Sequence, residues 1–433
     1  MTGKGAGFLR AACTAVIAAV ALPGGANEAG ERACPRGSTS YEVRSGDSLW
    51  SIAHGHDCTV DELRAANDIS GDRIVAGDTL CVPRSAGDAE SGGESHPRTD
   101  RPESAPGDSS RPSPPDDVDT TTLPALLRER GFDEPSGGFL GYVAEFVFDE
   151  DREQIVRRRR FDYGGTSVQV TGWNPASTVK LFAATAALLR MRELGFDPDA
   201  TITYHGSGDD HAFTLRELVE AAIGPSDNIA YDYLTVFSGF DYLHGEFLVE
   251  AHGFERTALR VAYARSEWTA FGFDDFFRTS PAMTVSEDDR VLERPEEHGA
   301  TEVECSQAAC TTLLELGETL RRIVFQEKLP AAESLGLHAD DLELLRGLLG
   351  STRSRGEEAV KLLRPFFGDG ARIYHKAGYA SEWFTDDVLI DDPGLDRAWL
   401  IVLAGNPGRS ALDEAARLVG ELISAGAFDP TPS

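Results

Sequence analysis

Apolar and polar positions divide the chain into two patterned regions with an unpatterned segment between them. Apolar residues recur at strand and helix spacing in residues 38–83 and again in residues 123–429. Residues 84–122 consist mostly of Ser, Pro, Gly, Asp and Glu, with almost no large apolar side chain. Such a segment cannot bury enough surface to offset the entropy lost on ordering. The pattern therefore predicts two folded domains joined by a disordered linker.

The larger patterned region starts and ends with strands. Apolar alternation in "FLGYVAEFVFD" and a second run from Ile155 to Phe161 are separated by a polar turn, which predicts an antiparallel hairpin. We interpret the basic run from Arg157 to Arg160 as the solvated face of this hairpin. The region closes with the strand pattern "AWLIVLAG" and a helix over 411–425. Strands at both ends with helices between them predict an α+β domain built on one sheet.

The smaller patterned region has the composition of a compact βααβ unit. A short strand at Tyr41–Val43 is followed by a Ser-Gly-Asp turn and a helix at Ser48–Ala53. A second helix at Val60–Asn67 and a strand at Thr79–Val82 complete the unit.

The net charge of the chain limits which kinds of macromolecule or surface can be its main binding partner. The chain has 433 residues, and 41 Lys and Arg stand against 72 Asp and Glu, which gives a net charge of −31. Nucleic acids and anionic membrane surfaces both reward clustered cations. We therefore expect neither of them to be the main partner.

The N-terminal residues have the three regions of a secretory signal. Lys4 and Arg10 precede an apolar run from 11 to 22, and small residues follow at 24–26. The run is shorter than a comfortable membrane span, so a retained N-terminal anchor is the less favoured alternative. We expect a signal peptide at 1–26 and a secreted or periplasmic protein without a membrane span in its mature form.

Five cysteines remain after the predicted cleavage, and their odd number leaves one outside any disulfide. Cys305 and Cys310 are close enough in sequence to clip one loop. Cys34, Cys58 and Cys81 cluster in the small domain, whose core is small enough to benefit from a bridge. Neither a zinc-type Cys and His spacing nor an HExxH pattern occurs, so we predict no metal and no cofactor.

The first candidate for chemistry is a serine at the start of a buried helix. Asn174-Pro175 is a helix start signal, and the following run is apolar on most sides. Ser177 lies in the first turn, where free backbone N–H groups favour negative charge, and Lys180 projects from the same face. A lysine becomes a base near neutral pH only where burial or a second cation lowers its pKa. Taken alone, the pair is more often a local cap and a lysine that reaches solvent.

Two further motifs change that interpretation. Ser226-Asp227-Asn228 follows Gly224-Pro225 and would alone be read as a turn and helix cap. The strand-like run "IYHKAGYASEW" contains Lys376 and Gly378, and would alone be an edge strand that ends in a turn.

Together, "PASTVK", "SDN" and "HKAG" occur in the order found in penicillin-recognising serine enzymes. Over about 138–425 the chain resembles class A β-lactamases and penicillin-binding proteins, and "TSPAMTV" at 279–285 is similar to the stretch after their omega loop. The resemblance implies a β-lactamase/transpeptidase-like fold, with an antiparallel sheet flanked by helices and an all-helical subdomain. It places the serine hydrolase domain at 123–429.

The resemblance also implies a role for each motif residue. Ser177 would be the acylated nucleophile, and Lys180 would accept its proton. Ser226 would relay a proton to the leaving nitrogen, while Asn228 would hold Lys180 and the substrate amide. Lys376 would supply positive charge for the substrate carboxylate.

The strand motif would contribute backbone groups as well. The N–H groups of Ser177 and Tyr379 would form the oxyanion hole, and Ala377 and Gly378 would line the substrate site. Ala377 stands where the family usually has Thr or Ser, so a hydroxyl contact to the substrate carboxylate is missing.

The family's deacylating glutamate has no clear match. Glu255 and Glu267 are the candidates in "FERTALRVAYARSEWTAFG", and neither has the usual Glu-x-x-x-Asn setting. We prefer Glu267, with a surface carboxylate as the alternative interpretation of either residue. Acylation is therefore better supported than turnover.

The small domain resembles the LysM domain. The matching residues are Val43, Gly46, Asp47, Leu49, Ile52, Ala53, Leu63, Asn67, Ile74, Gly77 and Leu80. By this resemblance, a shallow groove would bind N-acetylglucosamine-containing glycans such as peptidoglycan. Its contact residues would be Gly46, Asp47, Ser48, Leu49, Ile74 and Val75.

Three functions fit these motifs. The first is hydrolysis of β-lactam amide bonds by an exported, wall-associated serine hydrolase that contributes to antibiotic resistance. The second is a D-Ala-D-Ala carboxypeptidase or endopeptidase acting on peptidoglycan stem peptides. The third is a wall-binding protein without catalytic activity, which the complete motif set disfavours.

Overall fold

The computed structural model describes residues 34–35, 38–43, 52, 56, 58, 60–67, 69, 77–83, 116–206, 210–261, 263, 278–305, 309–350, 358–380 and 382–429. The predicted signal peptide, the linker up to residue 115, the glycan-contact residues 46–49, 74 and 75, and Glu267 lie outside the described residues.

The strands have these bounds: β1 Ser38–Glu42, β2 Thr79–Pro83, β3 Asp116–Asp119, β4 Phe139–Phe148, β5 Ile155–Tyr163, β6 Thr201–Tyr204, β7 His211–Thr214, β8 Ala258–Leu259, β9 Thr279–Ser280, β10 Met283–Glu287, β11 Arg290–Arg294, β12 Glu297–His298, β13 Ala309–Cys310, β14 Arg372–Tyr379, β15 Phe384–Asp392 and β16 Arg397–Gly405. The helices of six or more residues have these bounds: α1 Val60–Asn67, α2 Thr122–Glu129, α3 Lys180–Glu193, α4 Leu215–Ile223, α5 Asn228–Ser238, α6 Leu313–Phe325, α7 Ala339–Leu349, α8 Glu358–Leu363 and α9 Arg409–Ser424. None of these helices is long and apolar enough to cross a membrane.

The small domain joins its two strands and α1 around a minimal core. β1 and β2 pair antiparallel, and Leu63 of α1 is buried against them. Asn67 ties α1 to β2, because its amide group accepts from Cys81 N at 2.7 Å and donates to Cys81 O at 2.8 Å. The bridge expected in this domain joins Cys34 to Cys81.

A six-stranded sheet, in the order β14-β15-β16-β4-β5-β3, forms the centre of the large domain in the described part of the chain. The β4–β5 hairpin from the start of the domain pairs with β16 from its end, which confirms the prediction of one sheet built from both termini. One face packs against α2, α8 and α9, and the other packs against α3 and α6. The α+β architecture is confirmed, but the rest of the domain is not all-helical as predicted, because β6, β7, β10 and β11 form a four-stranded sheet there.

The predicted linker ends too late. Residues 116–119 form β3, which pairs parallel with β5, and α2 begins at Thr122. The carboxylate of Asp116 forms ion pairs with Arg158 at 2.9 Å and with Arg160 at 3.1 Å. This edge strand is held by backbone pairing and charge, which a search for large apolar residues does not detect.

The interpretation of the arginine run as a solvated face was wrong for three of its four members. The side chains of Arg158, Arg159 and Arg160 are only 11–12% exposed. Arg159 pairs with the buried Glu145, and Arg160 pairs with Asp162 at 2.8 Å. Alternation along the strand places these cations against acidic partners on both faces of the sheet.

The helical part of the large domain buries α3 on all sides. Every residue from Lys180 to Leu188 is buried, and α3 packs against α4 and α5. The short strands β8 and β13 pair with each other, and the expected disulfide joins Cys305 to Cys310 at the end of β13. A rigid, buried α3 fixes the position of the turn that precedes it.

Candidate active site

Three separate elements bring the three sequence motifs together. Ser177 lies in a 3₁₀ turn, Ala176–Val179, that leads directly into α3, and its side chain is half-buried. Ser226 comes just before α5, and Asn228 is the first residue of that helix. Lys376 lies on β14, the edge strand of the central sheet.

Lys180 is bound within this cluster rather than reaching solvent. Its side chain is 1% exposed. Its Nζ donates to Asn228 Oδ1 at 2.8 Å, to Ser226 Oγ at 3.2 Å and to the carbonyl oxygen of Ser226. The interpretation of this lysine as a solvent-reaching side chain is therefore excluded.

Lys376 approaches the same hydroxyl from the opposite side. Its side chain is 0% exposed, and its Nζ donates to Ser226 Oγ at 2.9 Å. A serine hydroxyl has two acceptor lone pairs and one proton. Because the Nζ groups of two lysines donate to these lone pairs, the proton of Ser226 is left to be donated to a substrate atom.

The backbone is strained at Ser226 and at the residue directly before Ser177. Ala176, directly before Ser177, has φ of 48°, and Ser226 has φ of 64°. Both lie in the left-handed region, which costs a residue with a side chain about 1–3 kcal/mol and is concentrated at functional sites. The sequence carries no signal for this strain, because Ala and Ser are not typical left-handed residues.

Gly378 allows β14 to lie directly against the Ser177 turn. A Cβ atom at this position would be 2.6 Å from Pro175 O and 3.0 Å from both Ser177 N and Thr178 N. No side chain fits at those distances, so a close backbone approach requires glycine here. The backbone of β14 and the N–H groups of the Ser177 turn therefore lie directly beside each other.

The side chains of Ala377 and Tyr379 lie on the other face of β14. Strand alternation separates them from Lys376 and Gly378, and Ala377 is only 3% exposed. The Tyr379 ring packs 5.2 Å from the Phe384 ring, and burial raises the pKa of its hydroxyl. Neither side chain joins the cluster, so Tyr379 can act there only through its backbone.

Tyr263 is a neighbour of Lys180 that the sequence did not indicate. Its ring centroid lies 5.9 Å from Lys180 Nζ, and its backbone N–H donates to Asp232 Oδ2 at 2.7 Å. Burial raises the pKa of the Tyr263 hydroxyl, so the phenol is neutral at physiological pH. Glu255 is exposed, and its backbone N–H donates to Glu315 at 3.1 Å, which favours a surface role for its carboxylate.

Comparison with known families decides the identity of both domains. Residues 167–426 match the model of the beta-lactamase enzyme family, and residues 41–83 match that of the LysM domain. The chain belongs to the beta-lactamase enzyme family. The family match covers all three motifs of the cluster.

Several solved structures are similar to this member of the beta-lactamase enzyme family. A class A beta-lactamase from Bacteroides cellulosilyticus is 15% identical, with 71% of this chain and 99% of that chain covered and a TM-score of 0.43. PBP-A is 17% identical, with 72% and 99% covered and a TM-score of 0.44. A class A beta-lactamase from Mycobacterium abscessus is 18% identical, with 71% and 98% covered and a TM-score of 0.43. No curated protein matches the chain.

The family assignment and the fold together define this beta-lactamase-family protein at a coarse level. It is a β-lactamase-like serine hydrolase with a LysM domain.

Proposed function

We propose that this enzyme hydrolyses β-lactam amide bonds through an acyl-enzyme on Ser177. The observation that carries the proposal is the hydroxyl of Ser226, held between Lys180 at 3.2 Å and Lys376 at 2.9 Å. Two lysine side chains and one oriented hydroxyl provide a path for a proton from the nucleophile to a leaving nitrogen.

In this mechanism Ser177 Oγ attacks the lactam carbonyl carbon while its proton passes to Lys180. Lys180 takes part in this step as a neutral amine, as a general base requires. The N–H groups of Ser177 and Tyr379 stabilise the oxyanion, a contribution of about 3–4 kcal/mol per donor. Ser226 then donates its proton to the lactam nitrogen, the C–N bond breaks, and Lys180 returns a proton to Ser226.

Release of the product requires water to attack the ester carbonyl of the acylated Ser177. A general base must take a proton from that water, and Glu267 is our candidate. Replacement of Glu267 by Gln should then trap the acyl-enzyme, whereas unchanged turnover would remove this residue from the mechanism.

The LysM match supports a place for the reaction at the cell wall. LysM domains are expected to bind N-acetylglucosamine-containing glycan, so we propose that residues 38–83 hold the enzyme on peptidoglycan. The predicted signal peptide makes export part of the same proposal. Both proposals agree with the two disulfides, which are typical of proteins outside the cytosol.

A second candidate activity is cleavage of D-Ala-D-Ala stem peptides by the same nucleophile. The LysM match favours it, because tethering to peptidoglycan raises the effective concentration of the enzyme near stem peptides. Such tethering does not raise the effective concentration of the enzyme toward a freely diffusing β-lactam.

Two substrates distinguish the candidates. The full chain would be incubated with a chromogenic cephalosporin and, separately, with a pentapeptide ending in D-Ala-D-Ala, with Ser177→Ala as the control for each. Rapid Ser177-dependent ring opening supports the first activity. Ser177-dependent release of D-Ala, with a cephalosporin adduct that persists, supports the second. Failure of both reactions would overturn the proposed function.

A further inference from the structure

A second buried carboxyl lies beside the candidate active site. Asp387 on β15 pairs directly with Lys376 on β14, so the two side chains project from the same face of the sheet. Asp387 is 0% exposed, and in the described part of the chain neither of its oxygens is hydrogen-bonded to another side chain. A group of this kind requires an explanation, because burial of a carboxylate without such partners is costly.

Among the described residues, Lys376 is the cation whose charge acts on the Asp387 carboxyl. β16 places Val402 beside it, and beyond that β4 places Tyr142. From α6, Gly317 lies against Tyr142 and Val402, and the Ala176–Val179 turn also packs on β15.

Charge and burial together set the protonation state of this carboxyl. Burial raises the pKa of Asp387 well above its ordinary value, and the neighbouring Asp386 adds to that increase. The positive charge of Lys376 opposes the increase without cancelling it. Asp387 therefore keeps its proton at pH values where an exposed aspartate has lost it.

Lys376 is within reach of two alternative partners. Directly opposed residues of an antiparallel pair have Cβ atoms about 4.5–5.5 Å apart, and a lysine side chain spans that distance easily. In the structure Nζ donates to Ser226 Oγ at 2.9 Å and to Ala377 O at 3.1 Å. An ionised Asp387 would compete for the same ammonium group.

We propose that Asp387 is a positioning residue for Lys376. As a neutral carboxyl, it leaves the ammonium group directed at Ser226 and at the carboxylate of a bound substrate. As a carboxylate, it draws the ammonium group along the strand pair and weakens both contacts. The proposal rests on the proposed function for its catalytic consequence, and on geometry alone for the coupling between the two residues.

The catalytic consequence is tested by the pH dependence of acylation. The second-order rate of labelling by a fluorescent penicillin would be measured from pH 5.5 to 9.5 for the full chain, Asp387→Asn and Asp386→Asn. Asp386 is a matched control, because it is an equally buried aspartate on the opposite face of the same strand. Loss of one charge-assisted contact to substrate corresponds to a decrease of about tenfold or more.

We expect the parent and Asp386→Asn both to lose about this factor toward alkaline pH, with the decline of Asp386→Asn displaced to lower pH because Asp386 helps raise the pKa of Asp387. Asp387→Asn should match them at the acid end and lose the alkaline decline. An alkaline decline in Asp387→Asn equal to that of the parent would overturn the proposal. Labelling lost at every pH in a normally folded Asp387→Asn protein would also overturn it, since that result indicates a purely structural role.

Stability measurements separate this proposal from the proposed function. Because the folded-state pKa of Asp387 is raised, the folded protein binds a proton more tightly than the unfolded chain, and its stability falls as pH rises above the ordinary aspartate range. Asp387→Asn should remove part of that fall in urea unfolding, and Lys376→Met should steepen it. If penicillin does not label the parent but the dependence of stability on pH differs among the three proteins as stated, the proposed function fails and the coupling between Asp387 and Lys376 stands. If stability depends on pH equally in all three proteins, the coupling is refuted.

Discussion

The hydroxyl of Ser226 receives hydrogen bonds from the Nζ groups of two buried lysines, Lys180 at 3.2 Å and Lys376 at 2.9 Å. Its removal leaves both buried Nζ groups with one acceptor fewer, and removes the proton donor for the leaving nitrogen. A positioned acid or base contributes about 10²–10⁴-fold to rate. We therefore predict that Ser226→Ala lowers the rate of penicillin labelling by at least about 10²-fold.

Ser238→Ala is the matched control for that change. Ser238 is a fully buried serine on α5, and its hydroxyl donates to Leu234 O at 3.0 Å, within the helix. Its replacement should leave the labelling rate close to that of the parent. Equal losses in the two variants would show that the effect comes from packing in α5 and not from the shared hydroxyl.

At this scale, short motifs revealed Ser177, Lys180, Ser226, Asn228 and Lys376, because each motif keeps its residues at a fixed spacing. The positions that depend on distant parts of the chain had no such signal. Asp387 lies opposite Lys376 through cross-strand register, and Tyr263 reaches Lys180 from a different segment. Single-sequence patterns do not encode those distances.

At the scale of elements, the approach of β14 to the Ser177 turn controls the site. We predict that Gly378→Ala lowers the labelling rate more than about tenfold, since a Cβ only 2.6 Å from Pro175 O must separate strand and turn. Gly370→Ala is the control, because a Cβ there has nothing within 4 Å. Normal labelling of Gly378→Ala would show that this close approach is not needed.

The helix α6 is tied to β5 by charge, which predicts a pH dependence of stability. Burial alone would raise the pKa of Glu318, but Arg321 and Arg158 outweigh it and hold the pKa at about 2. This stabilisation is present above the ordinary value of 4.5 and is lost as pH falls toward 2. Glu318→Gln should therefore lower the free energy of unfolding by about 3 kcal/mol at pH 7 and by much less near pH 2.

Urea unfolding at both pH values measures this effect, with Glu293→Gln as the control. Glu293 is exposed on β11, so its replacement should change stability little at either pH. A loss in Glu318→Gln that is as large at pH 2 as at pH 7 would assign the effect to packing.

Element prediction succeeded where apolar alternation was strong and failed where charge pairing formed the element. The β4–β5 hairpin and the strands of the C-terminal end followed from their pattern. β3 and the arginine run did not, because Asp116, Arg158 and Arg160 stabilise one another by ion pairs across strands. A polar composition there resembles that of a linker.

At the scale of the whole molecule, the six-stranded sheet separates the end of the predicted linker from the candidate active site. The linker enters at β3 and Lys376 lies on β14, at opposite edges of the sheet. Five steps of about 4.8 Å between neighbouring strands give a separation of roughly 24 Å. The large domain therefore begins at the edge of the sheet that is farthest from Lys376.

This arrangement predicts independent binding and catalysis. The full chain should sediment with insoluble peptidoglycan, and soluble N-acetylglucosamine oligomers should release it. The same oligomers should leave hydrolysis of a soluble cephalosporin unchanged. Sedimentation that the oligomers do not affect would refute glycan binding by the LysM domain, and inhibition of hydrolysis by them would refute independence.

The central claim is that Ser177 becomes acylated, and peptide mass mapping after exposure to penicillin tests it most directly. The full chain would be quenched in acid, digested and compared with Ser177→Ala and with the Ser238→Ala control. Our account predicts one penicilloyl adduct, on the peptide containing Ser177, in the parent and in Ser238→Ala, and none in Ser177→Ala. An adduct on another residue, or one that persists in Ser177→Ala, would contradict it.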